Sequence, residues 1–206
     1  SALGFRNKAA SENASAVGYG NNANAMAASA VGYNNTAGGV GSSTIGYNNT
    51  ATNENASAFG YGNTAGGLAS SALGFSNTAS GDNANAFGYN NIASGSKSNV
   101  FGTGNTVSGS SSTAVGTANE VAAENSTAIG NNNTISSSAE NSAALGNNIS
   151  ISLKDSVALG NNSTATAINS VTGNSSYTKW AGVSDVVGVV SVGSSGATRQ
   201  IQNVAA

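Results

Sequence analysis

With 206 residues, only 7% of them charged, and a formal net charge of −2, the chain lacks the clustered Lys and Arg that neutralise nucleic-acid phosphates. It has no cysteine, histidine or proline, which excludes the usual structural zinc site, a thiol nucleophile and a histidine-based triad, and leaves no metal or cofactor to expect. Solubility has to come from Asn, Ser and Thr.

No run approaches the roughly 20 apolar residues that span a bilayer, and no basic segment followed by an apolar one reads as a signal peptide. The chain starts inside a repeat, at Ser1-Ala2-Leu3-Gly4, and stops at Val204-Ala205-Ala206. It reads as a piece of something longer, so missing targeting signals do not argue for the cytoplasm.

The repeat is clearest in Asn13-Ala14-Ser15-Ala16-Val17-Gly18-Tyr19-Gly20-Asn21-Asn22-Ala23. Its glycine recurs twelve times from Gly4 to Gly160, fourteen residues apart except for one step of sixteen, between Gly130 and Gly146. An asparagine stands three residues after each of the first ten glycines, and a small or branched apolar residue five after all twelve, from Ala9 through Val107 to Ala165. Low charge with abundant Gly, Asn and Ser is also the composition of disordered tracts. A disordered tract has no reason to hold this phase, so the sequence is a solenoid of stacked coils.

Each coil has room for two short strands and two turns, and its Gly, β-branched and aromatic content disfavours helix. In Ala14–Gly18 the alternation is period two: Ala14, Ala16 and Gly18 share one face, Ser15 and Val17 the other. The spacing predicts a second strand near Ala23, with Asn21 in the connecting turn because asparagine tolerates a left-handed backbone. Coils pairing in parallel at about 4.8 Å make a rod roughly 55 to 60 Å long. A repeat of fourteen is not a multiple of six, as hexapeptide helices require. With aspartate only at Asp82, Asp155 and Asp185, a calcium-binding nonapeptide roll cannot be built either.

The inward face offers little but Ala, Ser, Thr and Gly, a thin core. The opposite face repeats a large apolar residue before each glycine, including Leu73, Phe87, Phe101, Val115 and Ile129. Such a stripe in water promotes aggregation, and another copy of the same chain is the economical cover, so these five are candidate subunit-interface residues.

Over the first half, the residue after the glycine is aromatic: Phe5, Tyr19, Tyr33, Tyr47, Tyr61, Phe75 and Tyr89. From Gly102 it becomes Thr103, Thr117, Asn131, Asn147 and Asn161, while the residue five after glycine grows from Ala93 to Val107. The simplest reading is a change in how coils fill one shared space. The alternative makes Tyr19, Tyr33, Tyr47, Tyr61 and Tyr89 a stacking platform for a sugar or protein ligand. Two extra residues between Ile135 and Ala144 predict a surface bulge. Glu120, Glu124 and Glu140 are scattered, which gives no general acid/base pair.

After Ile168 the repeat stops, and Tyr177-Thr178-Lys179-Trp180-Ala181-Gly182 precedes Val190-Ser191-Val192-Gly193 and Arg199-Gln200-Ile201 with Asn203-Val204-Ala205-Ala206. Units ending in Ala-Val-Gly or Ala-Leu-Gly resemble the head repeats of trimeric autotransporter adhesins of the YadA-like kind, and the closing segments resemble that family's neck. Thr198 stands where the family commonly has an acidic residue. The resemblance implies an all-β fold: a left-handed parallel β-roll of 14-residue coils over residues 1–168, homotrimeric, then a neck insertion over 169–187 and a neck over 188–206. The neck leads into a coiled-coil stalk, and an outer-membrane anchor lies outside this chain.

Val192, Gly193, Arg199, Ile201 and Val204 are the expected neck clamp between subunits, Arg199 bonding backbone carbonyls or a carboxylate through its fork of donors. The function implied is a non-enzymatic bacterial surface adhesin head that binds host extracellular matrix or cells. The other readings are a structural spacer within such a fibre and an ice-binding solenoid. The last needs Thr at a regular place in every coil.

Overall fold

Alternation before the glycine and a small or branched apolar residue five places after it give two strands per coil. In the computed structural model, which describes residues 1–168 and 187–202, the long strand Ser15–Tyr19 is followed by the short strand Asn22–Ala23, and later coils repeat the pair. Long strands lie parallel with glycine beside glycine: Val17 pairs with Val31, Gly18 with Gly32 and Tyr19 with Tyr33. They form a thirteen-stranded sheet and the short strands a twelve-stranded one, both in strict sequence order. This is an all-β parallel solenoid, with no helix among the described residues.

The core is as thin as the sequence implies. Ala14, Ala16 and Ala23 are buried, as are their counterparts in later coils. The largest apolar side chains inside are Val100, Val107, Val121, Ile135, Ile149 and Ile151. The aromatic residues after the glycines lie outside, so loss of the aromatics and growth from Ala93 to Val107 happen on opposite sides of the wall. They do not fill one space.

The recurring asparagine is not a turn residue. The left-handed backbone falls one position earlier, as at Asn34 (φ 55°), Ser76 (φ 55°) and Ala118 (φ 54°), and at a second corner, as at Asn55 (φ 56°) and Lys97 (φ 59°). Asn35 and its equivalents are instead buried inside the roll. Nδ2 of Asn35 is 3.0 Å from Oδ1 of Asn21, 3.0 Å from the carbonyl of Val31 and 2.7 Å from that of Gly46. The Asn35 backbone N–H donates to the same Asn21 Oδ1 at 3.0 Å. The ladder climbs from Asn7 to Asn133, where the N–H of Ile149 closes it at 3.0 Å.

The sixteen-residue step keeps register, with Gly130 on Gly146. Ser137 and Ser138 form the extra turn, and Ala139 is buried again. Ser126 Oγ donates to the Ala139 carbonyl at 3.2 Å, as Ser112 Oγ does to that of Ala123 at 2.7 Å. The bulge is therefore confined to two serines.

The roll also continues past Ile168. Val190–Ser191 pairs in parallel with Val157–Ala158, and the N–H of Val189 donates to Ser156 Oγ at 3.1 Å. This continues a column in which Ser126, Ser142 and Ser156 N–H groups donate to the serine hydroxyl one coil below. A segment expected to be neck thus supplies the last rung. The aromatic insertion at Tyr177 and Trp180 lies outside the described residues.

Candidate interaction surfaces

Parallel register places the apolar stripe in one straight column on the outer face of the long-strand sheet. Leu73 pairs with Phe87, Phe87 with Phe101, Phe101 with Val115 and Val115 with Ile129. Leu73 is 46% exposed, Phe101 38%, Val115 36% and Ile129 44%, while Phe87 is half-buried. The Phe87 and Phe101 rings lie 5.3 Å apart, tilted by 56°. The stripe's five expected residues are together, contiguous and uncovered within one chain.

The aromatic column is a second continuous feature. From Tyr19 to Tyr61 adjacent centroids are 4.9 to 5.0 Å apart and the planes differ by 2° to 6°. Phe5, Phe75 and Tyr89 extend the same stack. Each internal ring has a neighbour on both faces, so a partner meets ring edges and tyrosine hydroxyls rather than open π-faces. Past Tyr89 an amide column takes over further along: Nδ2 of Asn131 donates to Oδ1 of Asn147 at 2.9 Å, and Nδ2 of Asn147 to Oδ1 of Asn161 at 3.0 Å.

At the far end, Arg199 closes the polar interior. Its Nη1 donates to the Val192 carbonyl at 2.9 Å and to Ser163 Oγ at 3.1 Å, and its Nη2 donates to the Asn161 carbonyl. Val192 precedes the last rung's glycine, and Ser163 follows Gly160 by three. Nη1 therefore makes two of the contacts that the ladder amides from Asn21 upward make: the carbonyl before its own coil's glycine and the side-chain oxygen one coil below. Arg199, Val192 and Gly193 come together, the Gly193 carbonyl accepting from the Thr164 N–H at 3.0 Å. Ile201 is 65% exposed, and Val204 lies outside the described residues.

This arrangement makes a direct prediction. Arg199→Ala should lower the stability of the last rung by about 1 to 2 kcal/mol through loss of charge-assisted bonds in a partly wet site. Arg199→Lys should recover little, because one ammonium cannot reproduce a planar fork aimed at three oxygens. Thermal unfolding checks both, and unchanged melting of the two variants removes the capping role.

Among the described residues, no three carboxylates, histidines or cysteines gather in one place, and no helix is long and apolar enough to cross a membrane. The chain's features are columns that run along it: a rod of equivalent coils, a fibrous repeat module by architecture. Residues 1–21, 9–35, 37–63, 65–91, 108–133 and 154–171 match the YadA head domain repeat (2 copies). These stretches make up more than half of the chain, which belongs to the YadA head family, the head repeats of surface-exposed trimeric autotransporter adhesins. The unmatched stretch 134–153 contains the two-serine bulge, and 92–107 contains Thr103, the first residue after a repeat glycine that is not aromatic. No curated protein matches the chain.

Proposed function

We propose that this chain is the head of a bacterial surface adhesin, displayed as a homotrimer and attaching to host extracellular matrix or a cell-surface receptor, with the membrane anchor outside the chain. The observation that carries the reading is the uncovered apolar column on a family scaffold built from identical coils. Three copies turning their stripes inward remove it from water and leave the small polar residues of the short-strand sheet outside.

Sedimentation equilibrium should give a trimer, and Phe87→Asp should shift it strongly toward monomer, since an unpaired charge buried in an interface costs about 3 to 5 kcal/mol. A wild-type monomer would refute the assembly.

Adhesion on this reading is spread along the rod. Linked weak contacts gain roughly 10² to 10⁴ in avidity when one partner spans them. Binding of the purified head to collagens, fibronectin, laminin and epithelial cells should fall gradually as whole coils between residues 18 and 88 are deleted in register. It should depend little on salt, because few charges are present to screen. Binding to none of these surfaces by an intact trimer would favour the spacer reading. Loss of all binding in Tyr47→Ala with assembly intact would place contact in the aromatic column.

A further inference from the structure

Two kinds of asparagine occur in the coils, and they stand side by side at Asn34-Asn35, Asn48-Asn49, Asn90-Asn91 and Asn132-Asn133. Ladder asparagines such as Asn35 and Asn49 are buried, and two residues after each comes Ala, Val or Ile. Corner asparagines such as Asn34 and Asn48 are exposed with a left-handed backbone. Eight of the corner asparagines carry a hydroxyl residue two positions on: Asn13, Asn34, Asn48, Asn55, Asn125, Asn132, Asn148 and Asn162. Asn34 with Thr36, Asn55 with Ser57 and Asn125 with Thr127 show the pattern at both corners. The hydroxyl residue sits on the outward side of the strand leaving the corner and is half-buried or exposed.

We propose that the corners before the short strands are acceptor sites for N-linked glycosylation, the sugar arriving from a nucleotide-diphosphate-sugar donor through an asparagine glycosyltransferase. The sequence Asn-x-Ser/Thr is the acceptor pattern for this modification and calls for a surface position. The fold meets both needs at the corner before the short strand: Asn34, Asn48, Asn132, Asn148 and Asn162 are exposed where the backbone turns sharply, and the hydroxyl two residues on lies on the short-strand sheet, the side that the proposed trimer leaves outside. In the transfer, the bond from Nδ2 to the anomeric carbon forms and the bond from that carbon to the phosphate oxygen breaks. The nucleoside diphosphate leaves with the electron pair, and one amide proton passes to a base of the transferase.

The coil rise also sets the occupancy. Asn34 and Asn48 occupy the same corner of consecutive coils, about 4.8 Å apart, and Asn132, Asn148 and Asn162 do likewise. Nδ2 of Asn132 also donates a hydrogen bond to Oδ1 of Asn148 at 2.8 Å. A sugar on one crowds the next. Asn13, Asn55 and Asn125 have no acceptor at the same corner of the adjoining coils. The hydroxyls of those three, Ser15, Ser57 and Thr127, share the long-strand face with the apolar stripe, so the proposed trimer closes them, and the consecutive corners beside the short strands take partial occupancy.

The experiment treats the folded protein with a soluble asparagine glycosyltransferase and UDP-glucose, then maps peptides by mass. A parallel map is made of protein recovered from the cells that naturally display it. The expected result is single-hexose addition shared between Asn34 and Asn48, none at Asn55 or Asn125 in the assembled trimer, and none at Asn63 or Asn77. Thr36→Ala should reduce addition at Asn34 at least tenfold, and Thr36→Ser should retain it. No addition to the folded protein, addition only after denaturation, or unmodified short-strand corners in the natural product would each overturn the proposal. None of these outcomes depends on what the head adheres to.

Discussion

Gly74→Ala is expected to break the solenoid at its middle, while Gly104→Ala costs far less and leaves it whole. Gly74 has φ +119°, and a Cβ there would fall against the Gly88 carbonyl oxygen, well inside contact distance. It would also lie 3.0 Å from the Gly88 carbonyl carbon and 3.1 Å from Asn77 Nδ2. Neither neighbour can yield, because one is the backbone of the next rung and the other a ladder amide. The disallowed backbone contributes about 1 to 3 kcal/mol and the overpacking about 1 to 3 more, a large part of any domain's stability. Gly104 has φ +64° and nothing within 4 Å of its Cβ position. Ala118 already occupies the equivalent corner one coil later at φ 54°, so alanine at 104 costs about 1 to 2 kcal/mol at most. Coil stability passes between nearest neighbours. Guanidinium unfolding of Gly74→Ala should therefore split into two transitions, with hydrogen exchange fastest around residues 71–89. A single wild-type transition would show that the rungs can part to admit a methyl group.

These two glycine classes show what could be read from sequence and what could not. The register of twelve glycines fixes a coil of fourteen, and parallel stacking converts any position in the coil into a straight column. The stripe from Leu73 to Ile129 was therefore legible before any coordinates. Alternation carries no such certainty through Gly18, where the chain leaves ordinary β geometry, and the turn expected at Asn21 lies instead at Gly20. A signal for this was present. The corner is filled by Arg6, Gly20, Asn34, Ser76 and Ala118, whereas the next position is asparagine in ten coils. A backbone angle tolerates several residue types; a buried set of hydrogen bonds tolerates one. The rung at Val190–Ser191 was harder, because the insertion interrupts the period and only the spacing of Val189 to Gly193 matches that of Ser156 to Gly160. Whether a stripe is covered by two further chains is a property of the assembly, and no column in one chain encodes the number.

Asn77→Leu should destabilise the head by about 2 to 5 kcal/mol although it keeps the branched heavy-atom shape and adds apolar surface. Nδ2 of Asn77 is 3.0 Å from Asn63 Oδ1, 3.0 Å from the Leu73 carbonyl and 2.8 Å from the Gly88 carbonyl. Its Oδ1 accepts the N–H of Asn91 at 3.0 Å and Nδ2 of Asn91 at 3.1 Å. Leucine has the same branching with bulkier methyl groups and removes every one of these, leaving a buried N–H and buried carbonyls unmatched at about 1 to 3 kcal/mol for each group left bare. Asn77→Asp separates hydrogen bonding from shape. The introduced carboxylate still accepts from Asn91, but its second oxygen faces Asn63 Oδ1 and two carbonyls, which need a donor. Only the protonated acid supplies one, so the folded state holds that proton above the ordinary aspartate value of about 3.9. With the folded pKa raised, the variant's stability is fullest below about pH 3.9 and declines as pH climbs toward the folded value. Thermal melting of Asn77→Asp should be higher at pH 4 than at pH 8, against a nearly flat difference for Asn34→Asp at the exposed corner. Equal melting of Asn77→Asp at the two pH values would mean that the amide column packs the roll without bonding it.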